Sequence, residues 1–116
     1  MIVDKCRDIK ELEKLCQNPK LQKAEWIFNN PHHYCFYEGD KLLGVIYFNE
    51  ENDKLFLSGA AQRKIHDKVL LALETLCNSY DCDIYSETTE KPAIFALKKV
   101  GFKKIKNDIY RRLNNG

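Results

Sequence analysis

The 116-residue sequence lacks the features that mark a membrane-spanning or disulfide-stapled protein. Its longest apolar run is far below the roughly 20 residues that a helical span needs, and its N-terminus has no apolar signal-peptide segment. The five cysteines are an odd number and include no Cys-x-x-Cys pair. These counts favour free thiols in a reducing compartment, so we expect a cytoplasmic protein with no membrane partner.

Charge of one sign is also scarce. The net charge is only +2, from 19 Lys and Arg against 17 Asp and Glu, and the two signs are interspersed along the chain. A general nucleic-acid binder normally carries a patch of one sign, so the sequence predicts no specific nucleic-acid partner. The hydrophobic fraction of 44% is typical of globular proteins. The length fits a single domain over residues 1–116.

Hydrophobic patterning predicts a strand and two helices in the first 30 residues. The segment MIVDKC fits a short strand, and DIKELEKLCQ fits a helix that Asp8 can cap and Pro19 can end. A second short helix is expected in KLQKAEWIFNN. Aromatic and β-branched residues then predict an antiparallel meander with strands at 34–37, 42–48 and 54–57, joined by turns at 38–41 and 50–53.

The second half of the chain alternates helices and strands. The longest helix is expected over 62–80, where apolar side chains recur at 3.6-residue spacing, and a strand follows at 82–88. A last helix can be capped by Thr88 or Thr89, with Pro92 in its first turn and Gly101 at its end. The closing segment FKKIKNDIYRRL fits a strand or a hairpin. We therefore predict an α+β fold, with a mixed sheet that joins the meander to one right-handed parallel β-α-β crossover.

From Lys41 to Leu113 the sequence resembles the second half of the GNAT superfamily of N-acetyltransferases. The matching segments are KLLGVIYF, LFLSGAAQRKIHDKVLLALETL and CDIYSETTEKPAIFALKKVGFKKI. In that family a Q/R-x-x-G-x-G/A loop opens the long helix and cradles the pyrophosphate of acetyl-CoA with its backbone amides. Ile65 and Asp67 stand where the family has small residues. The resemblance implies acetyl-CoA as cofactor, bound by Gln62, Arg63, Lys64, Ile65, His66, Asp67 and Lys68.

Acetyl transfer to an amine needs a base for the incoming ammonium and a polarised thioester carbonyl. Glu87, at the end of a predicted strand, is the first candidate base; Glu50, Glu51 and His66 are the alternatives. Leu97 and Glu90 stand where the family has a Tyr and an Asn, so the acid that protonates the thiolate has to come from elsewhere. Tyr85 and Tyr110 are the candidates. His33 and Cys35 share a strand face, but two ligands make no zinc site, so we predict no metal.

These predictions leave three candidate functions. The first is a small acyltransferase whose acceptor is an amine on a protein or small molecule. The second is a catalytically degenerate GNAT-fold module that binds a protein partner. Short GNAT-like proteins of tailed bacteriophages, such as the internal virion protein A group, resemble this chain in length and in the glycine-free turn, which would suit a virion or host-takeover component. The third is a binder of another phosphorylated ligand at the same turn.

Overall fold

The computed structural model describes residues 1–17, 21–61 and 67–114. Within these ranges the chain forms seven strands and four helices, in one mixed sheet of order β1-β2-β3-β4-β5-β7-β6. This confirms the predicted α+β class and mixed sheet. The elements are β1 (Ile2–Asp4), α1 (Ile9–Leu15), α2 (Ala24–Asn29), β2 (His33–Glu38), β3 (Lys41–Glu51), β4 (Lys54–Ala61), α3 (Asp67–Asn78), β5 (Ile84–Glu87), α4 (Lys91–Lys99), β6 (Lys103–Lys106) and β7 (Ile109–Arg112).

The described residues divide into two compact units. The N-terminal unit comprises residues 1–48 with 58–61, and the C-terminal unit comprises 49–57 with 67–114. The core of the N-terminal unit is built from one side of α1 and α2 and from alternate residues of β2 and β3. Its buried members are Leu12, Ala24, Ile27, Cys35, Tyr37, Leu42, Val45 and Tyr47.

Helix α1 begins as the sequence predicts. The Asp8 side chain accepts a hydrogen bond from the Lys10 N–H at 3.0 Å, which satisfies one of the free donors of the first turn. At its other end the Cys16 N–H donates to the Leu12 carbonyl at 2.8 Å. The helix therefore ends at Leu15, and Pro19, its predicted terminator, lies outside the described residues.

The meander is confirmed, but its strands are longer than predicted. β4 continues to Ala61, four residues beyond its predicted end, through a Ser-Gly-Ala-Ala segment with no bulky apolar side chain. Close contact with β3 extends it: a Cβ built on Gly59 would lie 2.5 Å from the Val45 carbonyl oxygen. The β3–β4 hairpin turns at Asn52 and Asp53, whose φ values of 52° and 64° suit a two-residue turn.

In the C-terminal unit, β4 pairs in parallel with β5, and α3 connects the two strands along the chain. This confirms a parallel strand–helix–strand crossover. α3 starts at Asp67 in the described residues and ends at Asn78, two residues before its predicted end at Tyr80. β5 pairs antiparallel with β7, and β6 and β7 form the closing hairpin. The sequence predicts either a single strand or a hairpin at the end of the chain, and the hairpin is the one that forms.

Helix α4 differs from its prediction at the start and agrees at the end. Its N-cap is Glu90, not Thr88 or Thr89, because the Thr88 hydroxyl accepts the Glu90 N–H at 3.1 Å and so closes the turn before the helix. At the C-terminus, Phe102 N–H donates to the Leu97 carbonyl at 2.9 Å while Gly101 has φ of 95°. This left-handed stop is the one that the sequence predicts.

No helix in the described ranges is both long and apolar enough to cross a bilayer.

Candidate active site

The parallel ladder between β4 and β5 is short. Among the described residues it contains two pairs, Leu55 with Ile84 and Phe56 with Tyr85, although both strands continue further. One residue beyond the last pair, Ser86 Oγ donates to the Leu57 carbonyl oxygen at 2.8 Å. A side chain, rather than a third residue pair, therefore links the two strands where the ladder ends.

The two faces of β5 have different surroundings. Arg112, opposite Ile84 on β7, donates from Nε to the Val100 carbonyl after α4 and from Nη2 to the side chain of Asn78 in α3. The helices therefore lie on the Ile84 side of the sheet. Because side chains alternate along a strand, Tyr85 and Glu87 share the other face, which α3 and α4 do not cover.

The structure thus places the two predicted catalytic residues together, two positions apart at the C-terminal end of β5. Tyr85 is half-buried, and its ring centroid lies 5.8 Å from that of Phe56. The ammonium of Lys54 lies 5.0 Å from the Tyr85 ring centroid. The Tyr85 ring therefore has both an apolar neighbour and a cation close to it.

Glu87 is exposed and lies opposite Ile109 on β7. Its carboxylate makes no hydrogen bond or ion pair with the described residues, so both oxygens can accept a proton or a ligand. The next residue is anchored, because the Thr88 N–H donates to the Asp108 carbonyl at 2.9 Å. A fixed backbone thus carries a free carboxylate at the strand end.

The predicted cofactor turn is described only at its end. Five of its seven residues lie outside the described ranges: Gln62, Arg63, Lys64, Ile65 and His66. Asp67 and Lys68 form the exposed start of the 12-residue helix α3. The helix dipole favours negative charge at this position, and the carboxylate of Asp67 already supplies it.

The other candidate residues lie on other elements or outside the described ranges. Tyr110 is 3% exposed and lies opposite Ser86, on the face that the helices cover, so it does not share a face with Glu87. Glu50 and Glu51 are exposed at the end of β3, and His66 lies outside the described residues. Leu97 is 5% exposed and packs in the core.

The histidine and cysteine residues of β2 have structural partners. His33 is 3% exposed; its Nε2 accepts the Cys6 N–H at 2.9 Å and its Nδ1 lies 2.6 Å from the Asn30 carbonyl oxygen. Backbone groups therefore occupy both ring nitrogens. Within the described ranges, no group of three or more His, Cys, Asp or Glu side chains could hold a metal ion.

Sequence reasoning missed Ser86 and the adjacent pair Arg111 and Arg112. In a strand, consecutive side chains point to opposite faces, so the IYRR segment already separates the two guanidiniums. Which arginine faces the helices follows only from the register with β5.

No protein-family model matches the sequence, and no curated protein matches it either. Among solved structures, the chain is similar to a point mutant of TTHA1254 from Thermus thermophilus. The TM-score is 0.60 at 15% sequence identity, and the alignment covers 92% of each chain. At this identity the similarity supports a shared fold alone.

Proposed function

We propose that this protein transfers an acetyl group from acetyl-CoA to an amine by direct attack. The short β4–β5 ladder carries the proposal. In the GNAT arrangement that the sequence resembles, the two parallel strands separate so that backbone groups can pair with pantetheine. A ladder that ends at Phe56 and Tyr85 agrees with that requirement, whereas the Ser86 hydroxyl opposes it, because it occupies the Leu57 carbonyl oxygen next to the ladder's end.

The residues around the start of α3 are compatible with the cofactor. Lys68 adds a cation in the first turn of a helix long enough to present its dipole to phosphate. Asp67 opposes an anion at the same place. Bound acetyl-CoA would supply the activated acetyl thioester.

The acid–base roles fall to Tyr85 and Glu87. The free carboxylate of Glu87 would take a proton from the incoming ammonium, which exposes the amine lone pair. Tyr85, on the same face, would donate its hydroxyl proton to the departing thiolate. Both side chains project from β5, a strand paired on both sides over part of its length, so their separation is set by the backbone.

Calorimetric titration with acetyl-CoA and with CoA tests the cofactor. We expect micromolar binding, and tighter binding in Ile65→Gly and Asp67→Ala, since the first removes bulk and the second removes a carboxylate beside a phosphate. The hypothesis that this turn cradles the pyrophosphate is wrong if no heat is measured at millimolar ligand. It is also wrong if neither variant changes the affinity for CoA.

Catalysis is tested by thiol release from acetyl-CoA in the presence of spermidine or a lysine-rich peptide. Glu87→Gln should lower the rate by roughly 10²- to 10⁴-fold without changing CoA affinity, because general-base catalysis contributes about that much. Glu74→Gln, an exposed carboxylate on α3, is the matched control and should leave the rate unchanged. Equal rates for wild type and Glu87→Gln would contradict the base assignment.

A second candidate is a catalytically degenerate module that binds a protein partner, in the manner of a phage virion or host-takeover component. The exposure of large apolar side chains favours it: Leu71 on α3 is 66% exposed and Phe95 on α4 is 59% exposed. Exposed apolar side chains mark a contact surface where they join into one patch, which this function requires of Leu71 and Phe95. Absence of CoA binding in the titration, with a folded protein, would favour this function over acyl transfer.

A further inference from the structure

Four residues form a row across the face of the C-terminal sheet that α3 and α4 do not cover. Phe56 on β4 lies opposite Tyr85 on β5, Tyr85 lies opposite Arg111 on β7, and Arg111 lies opposite Lys103 on β6. Neighbouring strands are about 4.8 Å apart, so the row is about 14 Å long. The row therefore consists of two aromatic side chains followed by two cationic ones.

Two cations of this face, Arg111 and Lys103, have no bonding partner among the described residues. Arg111 makes no hydrogen bond or ion pair with a described residue, whereas its neighbour Arg112 bonds to Val100, Asn78 and Asn114. Lys103 is exposed and likewise has no described partner. Four cations lie on this face: Lys54, Lys103, Lys106 and Arg111. Its carboxylates include Glu87 on β5 and Glu51, which the two-residue turn sets opposite Lys54.

We propose that this face binds single-stranded nucleic acid. Half-buried aromatic rings on a sheet offer stacking surfaces to unpaired bases, and adjacent Lys and Arg side chains neutralise the phosphates. Bases stack on Tyr85 and Phe56, and the backbone runs along Arg111 and Lys103. The flexible stem of Lys54 lets its ammonium leave the Tyr85 ring for a phosphate when a base takes that place.

Aromatic rings beside cations favour single-stranded nucleic acid over other polyanions. An acidic peptide would pair with the cations but leave the two rings without a stacking partner. A duplex keeps its base faces stacked internally and presents only its phosphates and groove edges. The inference does not depend on acyl transfer, although both use Tyr85, so its test measures binding without acetyl-CoA.

Fluorescence anisotropy with labelled twelve-residue oligothymidylate and oligouridylate, at 50 mM salt, tests the proposal. If three to four phosphates are neutralised, the slope of log K against log salt should be about −2 to −3, since each contributes roughly 0.7 for single strands. Arg111→Ala should reduce that slope by about 0.7. Tyr85→Ala should weaken binding roughly 5- to 150-fold, and Tyr85→Phe should leave it nearly unchanged.

Lys104→Ala is the matched control. Lys104 lies opposite the buried Tyr110, so it projects from the other face of β6 than Lys103 does. Lys103→Ala should therefore weaken binding and Lys104→Ala should not. Both side chains are exposed, so neither variant threatens the fold.

Competition separates the alternatives. Excess decaglutamate or duplex of equal charge should displace the labelled strand poorly. Displacement by decaglutamate with no effect of Tyr85→Ala would overturn the proposal in favour of an acidic peptide. Equal loss in Lys103→Ala and Lys104→Ala, or no binding of either oligonucleotide, would overturn it too. A preference between the two oligonucleotides would support it and identify RNA or DNA as the ligand.

Discussion

Ser86 Oγ donates a hydrogen bond to the carbonyl oxygen of Leu57 at 2.8 Å, one residue past the last parallel pair of β4 and β5. Ser86 is 6% exposed, so water competes little for this bond. It joins residues 29 positions apart in the sequence. The hydroxyl therefore fixes the two strands to each other at the point where backbone pairing stops.

Replacing Ser86 by Ala should destabilise the protein by about 1–2 kcal/mol, because the variant buries the Leu57 carbonyl without this donor. Ser79→Ala is the control: Ser79 Oγ also donates to a carbonyl, that of Leu76, but the residue is exposed and water can replace it. Urea unfolding measures both. Equal losses of stability in the two variants would argue against a special role for the buried bond.

The adjacent residues Arg111 and Arg112 should behave oppositely in stability measurements. Arg112 Nε donates to the Val100 carbonyl at 2.8 Å, and Val100 follows the last turn of α4. We expect Arg112→Ala to cost about 2–3 kcal/mol and Arg111→Ala less than about 0.5 kcal/mol. Thermal unfolding of the two variants checks this. A large loss in Arg111→Ala would mean that the fold, not a ligand, uses its guanidinium.

Gly59→Ala should be strongly destabilising, by about 3 kcal/mol, because the added Cβ would lie 2.5 Å from the Val45 carbonyl oxygen and would force β3 and β4 apart. Gly39→Asn is the comparison. Gly39 has φ of 59° and no atom within 4 Å of an added Cβ, and Asn tolerates this conformation. Its unfolding free energy should change by less than about 0.5 kcal/mol. If Gly59→Ala unfolds at the same denaturant midpoint as the wild-type protein, the close contact between β3 and β4 is refuted.

Stability should fall in alkaline solution. Burial raises the pKa of the Cys35 thiol from 9.0 to about 12 and that of Cys77 to about 11. The unfolded chain therefore releases these protons at lower pH than the folded one. The stabilisation is complete below pH 9 and is lost as the pH rises through about 11 and 12. Each thiol lowers the unfolding free energy by up to about 1.4 kcal/mol per pH unit in that window.

Urea unfolding from pH 8 to pH 11 measures this slope. Cys35→Ala and Cys77→Ala should each flatten it, even where they lower stability overall. Cys82→Ala, which removes an exposed thiol, should leave the slope unchanged. A flat profile in the wild-type protein would contradict the burial of the two thiols.

Features decided by neighbours in the chain could be predicted from the sequence. The Asp8 cap, the Gly101 stop and the hairpin turns each depend on hydrogen bonds or φ angles within a few residues. The extension of β4 could not be predicted from the sequence, because it depends on contact with β3. The cap of α4 could not be predicted either, because it depends on the hydrogen bond between the Thr88 hydroxyl and the Glu90 N–H. For the candidate site, the strand-end position of Glu87 and its shared face with Tyr85 follow from period-two alternation.

The sequence by itself determined the order of helices and strands, their apolar faces and the alternation along each strand, since these are properties of local backbone geometry and residue spacing. The tertiary structure alone decided which strand ends are neighbours. It placed Ser86 at Leu57, Arg111 beside Tyr85 and Lys103 beside Arg111, through pairings between residues far apart in the chain. Cations far apart in the chain came to lie on one face of the sheet because strand register, which no local pattern encodes, placed them there.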